Sequence, residues 1–126
     1  MTHTLELLPG ACAVARLGPG AEVPRWAGGG PFVSITRTGD ELSIVCPEAA
    51  VPHDVTAQRG FRCLRVVGPL DFGVVGVLAS LTGPLARAGI SIFTVSTYDT
   101  DYLLLRESDL ERAAATLTEA GHTVSR

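Results

Sequence analysis

The chain contains no lysine and no asparagine, and all ten of its basic residues are arginine. Those absences remove Schiff-base chemistry, a phosphate-loop lysine and a lysine general base from the available repertoire. Cys12, Cys46 and Cys63 are far apart and lack the paired spacing that builds a zinc site, so they are expected to be buried free thiols. His3, His53 and His122 are equally scattered, with no spacing that sets two imidazoles on one helix face. No metal and no cofactor are therefore expected. The densest cluster of chemically capable side chains is Tyr98-Asp99-Thr100-Asp101-Tyr102. Taken as residues alone, it reads as a turn in which Asp99 and Asp101 accept from nearby amides while Tyr98 and Tyr102 pack at a rim. A functional role for the same run is the alternative.

The elements that must position these groups are legible from period and punctuation. With 126 residues, 46% hydrophobic content, 14 Gly and 8 Pro, the chain has apolar material for one compact domain or two very small modules that pack together. Its net charge of −3 argues against a broad nucleic-acid surface. Neither a signal peptide nor a membrane span is apparent, and the expectation is a soluble, cytoplasmic protein.

Thr4 to Leu8 and Ala11 to Leu17 read as short strands around Pro9-Gly10, a dipeptide that fits a tight reversal. Glu22 to Trp26 allows at most one helical turn before Gly28-Gly29-Gly30-Pro31, which reads as a mobile loop. Phe32 to Arg37 and Leu42 to Cys46 alternate across a turn of hairpin composition. Pro47 to Arg59 is polar and should wrap the surface, with Val51 and Val55 as anchors.

From Gly60 the pattern becomes β, α, β, β, α, β. Phe61 to Val67 is a strand. Phe72 to Ala88 is predicted as an amphipathic helix with Val74, Val77, Leu78, Leu81, Leu85 and Ala88 on one face, a loosened turn at Pro84 and a left-handed cap at Gly89. Ile90 to Thr97 and Tyr102 to Arg106 form an antiparallel pair, Ser108 to Glu111 has the composition of a capping box, and Thr123-Val124-Ser125 closes as an edge strand. The fold class is thus α+β, a ferredoxin-like βαββαβ sheet with both helices on one face. The module boundary is placed near Gly60, giving residues 1–59 and 60–126.

The passage Gly76-Val77-Leu78-Ala79-Ser80-Leu81 through Ala88-Gly89-Ile90-Ser91-Ile92 resembles the ACT domain. The run from Ser91 to Leu104, with its Ser-Thr-Tyr-Asp-Thr-Asp-Tyr core, is similar to small bacterial ACT proteins related to the CASTOR-type arginine sensors. Phe32 to Thr38 and Asp40 to Pro47 resemble the abbreviated first repeat of that family. The resemblance implies two tandem ACT-like modules, the first abbreviated, and a non-catalytic regulatory protein that senses a small molecule, an amino acid above all, at an inter-module or dimer interface. Arginine is one ligand it suggests. It further implies ligand contacts at Leu70, Asp71, Phe72 and Gly73 and at Ile92 and Phe93. The run Tyr98, Asp99 and Asp101 is added to these as a candidate ligand-binding segment. Many ACT domains carry an acidic residue three positions before the helix glycine, whereas Asp71 stands five before Gly76. Physically, free amides at a helix N-terminus suit a carboxylate while an acid suits an amino or guanidinium group. The plain structural alternative makes Asp71 a helix cap and Phe72, Ile92 and Phe93 core residues.

Two other functions compete. One is a structural homodimer without ligand, built on the exposed sheet face; a homodimer is expected for the sensing reading too, because that face needs a cover, and there a separate effector protein is a further expected partner. The other is a small ferredoxin-like enzyme such as an acylphosphatase. Here the loop after the first strand, Gly68-Pro69-Leu70-Asp71, would offer phosphate an acid where that family uses an arginine, and the chain has no asparagine.

Overall fold

Alternation of apolar and polar residues, punctuated by glycine and proline, yields eight strands and two α-helices among the described residues. They are Thr4–Leu7 (β1), Cys12–Leu17 (β2), Ser34–Arg37 (β3), Leu42–Pro47 (β4), Ala57–Val66 (β5), Val77–Arg87 (α1), Ile92–Ser96 (β6), Asp101–Arg106 (β7), Leu110–Glu119 (α2) and Thr123–Ser125 (β8). The computed structural model describes residues 2–126. They divide into two units: residues up to Leu8 together with Arg62–Arg126, and Pro9–Phe61. Assigning the start of the chain to the unit formed by its end is a relation between distant segments that a linear cut near Gly60 does not describe.

In the first of these units, β5 is followed by α1, β6, β7, α2 and β8, the ferredoxin-like order. Strand β7 pairs with both β5 and β6. One feature departs from a self-contained βαββαβ repeat: β1 lies between β5 and β8, antiparallel to the first (Leu5 opposite Val66) and parallel to the second (Leu5 opposite Val124). The expected reversal at Pro9-Gly10 consequently does not make a hairpin of β1 and β2, each of which pairs elsewhere.

The helices pack on one face of this sheet. Val77, Leu81 and Leu85 of α1 and Leu110, Ala113 and Leu117 of α2 are buried with Leu5, Leu64, Val66, Leu103 and Leu105, as the 3.6 and 2.0 residue periods require. Both helices end in Schellman motifs. Gly89 and Gly121 take positive φ, while Ile90 N–H bonds Leu85 C=O and His122 N–H bonds Leu117 C=O, each at 3.0 Å.

The helix starts differ from expectation. Instead of beginning at Phe72, α1 begins at Val77, because Gly76 sits in the left-handed region at φ 84° and breaks the pattern; Val74 is left 45% exposed. Asp71 is therefore not its cap. Nor does Ser108 cap α2: residues Glu107–Asp109 form a 3-10 turn leading into it, and Glu111 pairs with Arg126 instead.

In the other unit, β3 and β4 form the expected hairpin, with Ser34 opposite Val45 and Arg37 opposite Leu42. Strand β2 pairs with β4 and with the first residues of β5. Ala13, Ala15, Leu42, Ile44 and Cys46 bury one side together with Ala27 and Val51. Gly30 lies so close to Pro47 that a Cβ there would come within 2.2 Å of the ring, so this part of the glycine run is packed. All three cysteines are buried, and burial raises the Cys46 thiol above its ordinary pKa.

Candidate functional site

Two loops at one end of the helix-covered unit frame a cleft of about 290 Å³. The first runs from β5 to α1 and the second joins β6 to β7. Each is shaped by its own residues. In the first, the Gly68-Pro69 peptide is cis, and Val74 N–H bonds Asp71 C=O at 3.0 Å, closing a turn. In the second, Thr97 N–H bonds Thr100 C=O at 2.8 Å, and the Thr97 hydroxyl bonds the same oxygen at 3.0 Å. The turn tip is thereby held with Tyr98 and Asp99 projecting.

Two bonds bring the loops together. Leu70 N–H donates to Asp99 C=O at 2.7 Å, and the Thr100 hydroxyl donates to Val66 C=O at 2.6 Å. Small size at Gly68 is part of this arrangement, since a Cβ there would lie 2.9 Å from Leu70 N and 3.3 Å from Asp99 O.

Of the residues singled out in sequence, Leu70, Asp71, Phe72, Tyr98, Asp99 and Asp101 line this cleft. Gly73, Ile92 and Phe93 do not. Gly73 lies in the exposed turn, Ile92 packs against the helical core, and Phe93 is partly exposed on β6. The sequence reading missed Val74, Gly76, Val77, Leu78, Ser96, Thr97 and Thr100, which complete the lining. A signal for the last three existed in the Ser-Thr-x-x-Thr spacing, because short hydroxyl side chains bracketing a tip are turn formers.

The electrostatics are one-sided. Asp71, Asp99 and Asp101 contribute carboxylates, and among the described residues no basic side chain lines the cleft. Asp101 Oδ1 accepts from the Ser96 hydroxyl at 2.6 Å, which fixes its position without neutralising it. Opposite, Gly76, Val77 and Leu78 form the first turn of α1, where backbone N–H groups lack intrahelical acceptors and carry partial positive charge. Phe72 and Tyr98 meet at the mouth with ring centroids 5.7 Å apart and planes tilted by 37°, both largely exposed. Chemically, the cleft can hold a cationic group among carboxylates and an anionic group at a helix N-terminus. Among the described residues there is no group of three or more His, Cys, Asp or Glu that could hold a metal, and no helix long and apolar enough to cross a membrane.

Comparison with known proteins bears on the fold and the family. An ACT domain model matches residues 56–119, and a second family model, described as an N-terminal domain, matches residues 10–54. The solved structure of protein Atu0741 from Agobacterium tumefaciens is 46% identical, with a TM-score of 0.94 over 98% of this chain and 92% of that chain. The cytosolic arginine sensor for mTORC1 subunit 1 of Mus musculus is 32% identical over 88 residues, 64% of this chain; the match takes in 27% of the sensor, so the chain spans about a quarter of that relative's length. The regulatory subunit of aspartate kinase from Thermus thermophilus, at 11% identity, shares the fold with a TM-score of 0.65 over 96% of this chain and 99% of that chain. With the ACT model covering half of its residues, the chain belongs to the ACT domain family.

Proposed function

We propose that the protein is a regulatory binding module, without catalysis of its own, whose cleft between the β5–α1 and β6–β7 loops takes a free amino acid. The observation that carries this reading is the pairing of three aspartates with the N-terminal turn of α1 in one cleft. A zwitterion needs both signs of charge, and few other metabolites of that size do. A volume of about 290 Å³ lies at the small end of ligand pockets, which suits an amino acid better than a nucleotide. Among the described residues the cleft lining has no histidine, cysteine or lysine to serve as base or nucleophile. Two relatives named above support the same class of role, one as an arginine sensor and one as a kinase regulatory subunit. Excess carboxylates beside two aromatic rings make arginine the first ligand to try.

Pro9–Phe61 is read as the abbreviated companion module, with strands but no α-helix. The relative's cytosolic location is extended to this chain in the same proposal, as is an effector protein that reads the bound state.

A thermal-shift screen against the twenty amino acids, followed by calorimetry, tests the proposal. A ligand at a hundred times its Kd stabilises the native state by about 2.7 kcal/mol, a shift of several degrees. Silence at millimolar concentrations would move the assignment to a second reading, a homodimer without ligand. That reading is favoured by the exposure of Phe72, Val75 and Tyr98 around the same loops. Light scattering that gives a monomer mass would remove it.

A further inference from the structure

Pro84 lies inside α1 and has no N–H, so the carbonyl of Ser80 lacks the partner that an uninterrupted helix would supply. His122 takes that place: its Nε2 is 3.1 Å from Ser80 O. A carbonyl only accepts, so Nε2 carries the proton and Nδ1 is left as an acceptor. That role is filled by His3 N–H, which donates to Nδ1 at 3.0 Å. Both nitrogens of a ring only 4% exposed are thus committed in the neutral form. The His3 ring stacks on it, with centroids 5.8 Å apart and planes 13° from parallel, and His3 Nε2 is sealed from solvent without a hydrogen bond.

We propose that the His3–His122 pair is a proton-sensitive latch, fastening the start of β1 to α1 when both rings are neutral and releasing it on acidification. A proton added to His122 Nδ1 would face the His3 N–H, setting donor against donor. A proton added to His3 has a neighbouring imidazole 5.8 Å away and no acceptor at the buried Nε2. Among the described residues, the groups acting on His3 are the His122 ring, which opposes its protonation, and Asp101, which favours it. Burial outweighs Asp101, and with the His122 ring holds the His3 pKa below its ordinary value of 6.5. For a histidine whose folded pKa is depressed, the unfolded chain binds protons first. The stabilisation is then complete above about pH 6.5 and declines as pH falls toward the folded pKa.

The test is urea unfolding of the full chain between pH 8 and pH 5, for the unmodified protein and for His3→Gln, His122→Gln and His53→Gln. The unfolding constant of the unmodified protein is expected to rise several-fold on acidification through pH 6.5, and that rise to shrink in His3→Gln and His122→Gln. His53, exposed in the other unit, serves as the control and should leave it intact. Equal pH dependence in all four proteins overturns the latch. Should the variants fail to fold, NMR on the unmodified protein decides. Loss of His3 amide protection in step with imidazole titration supports the latch, and titration of both rings with that amide still protected refutes it.

Discussion

The Thr100 hydroxyl donates to the carbonyl of Val66 at 2.6 Å, tying the turn after β6 to the last residue of β5. Thr100 is 5% exposed, so this bond is made out of water and the Val66 oxygen has little access to a substitute. Thr100→Val keeps the side-chain shape and removes the donor. It should lower stability by about 1–3 kcal/mol, the cost of leaving a buried acceptor unmet, while Thr100→Ser should lose less. Urea midpoints measure both, and equal midpoints for the valine variant and the unmodified protein would show that the bond does not hold the loops.

Gly76 offers a second local test. Its φ of 84° is poorly tolerated by residues with a Cβ, yet a Cβ built there meets nothing within 4 Å. Any penalty in Gly76→Ala is therefore a backbone penalty, about 1–2 kcal/mol, and Gly76→Asn should recover part of it because asparagine enters the left-handed region more readily. An alanine variant that unfolds at the unmodified midpoint would contradict the left-handed start of α1.

These two residues also show where sequence reading succeeds and where it stops. The stripe Val77, Leu81, Leu85 was visible because helical burial recurs at three to four residues, and β3 and β4 were visible because strand burial alternates. The start of α1 was not. Val74 continues the apolar period, and only the backbone angle at Gly76 reveals that the helix has not yet begun. The placement of β1 between β5 and β8 joins residues about 60 and 120 positions apart, and nothing in the periodicity of Thr4–Leu7 specifies that partner. For the candidate site, Asp71 and Phe72 follow from the resemblance to ACT domains, while Tyr98, Asp99 and Asp101 stand out in a run of carboxylates and aromatics. The turn that Thr97 closes has a local signal in the Ser-Thr-x-x-Thr spacing, whereas the bridge from Thr100 to Val66 spans 34 positions and no local pattern names that partner.

Asp71 separates ligand binding from stability. It makes no side-chain cap on α1 and lies exposed in the cleft wall, so Asp71→Ala should change stability by no more than about 0.5 kcal/mol. Amino-acid affinity should nevertheless fall, because a carboxylate that meets an ammonium or guanidinium group is lost. Calorimetry with the best ligand from the screen, set beside a urea curve, reads both quantities. Lost stability with unchanged affinity would assign Asp71 to the fold instead.

Phe72 and Tyr98 are 78% and 82% exposed, an unusual setting for two large rings in mutual contact. Little of the folding energy depends on them, so Phe72→Ala and Tyr98→Ala should unfold near the unmodified midpoint. At the mouth of an acidic cleft, rings 5.7 Å apart can place their faces against a cation, an interaction of about 0.5–2 kcal/mol. Each alanine variant should accordingly bind arginine about 2–30 times more weakly, with a smaller effect on an uncharged amino acid such as leucine. Sedimentation of the same variants covers the alternative: if affinity is unchanged while a dimer of the unmodified chain falls apart, the two rings belong to an interface between copies and the cleft selects its ligand without them.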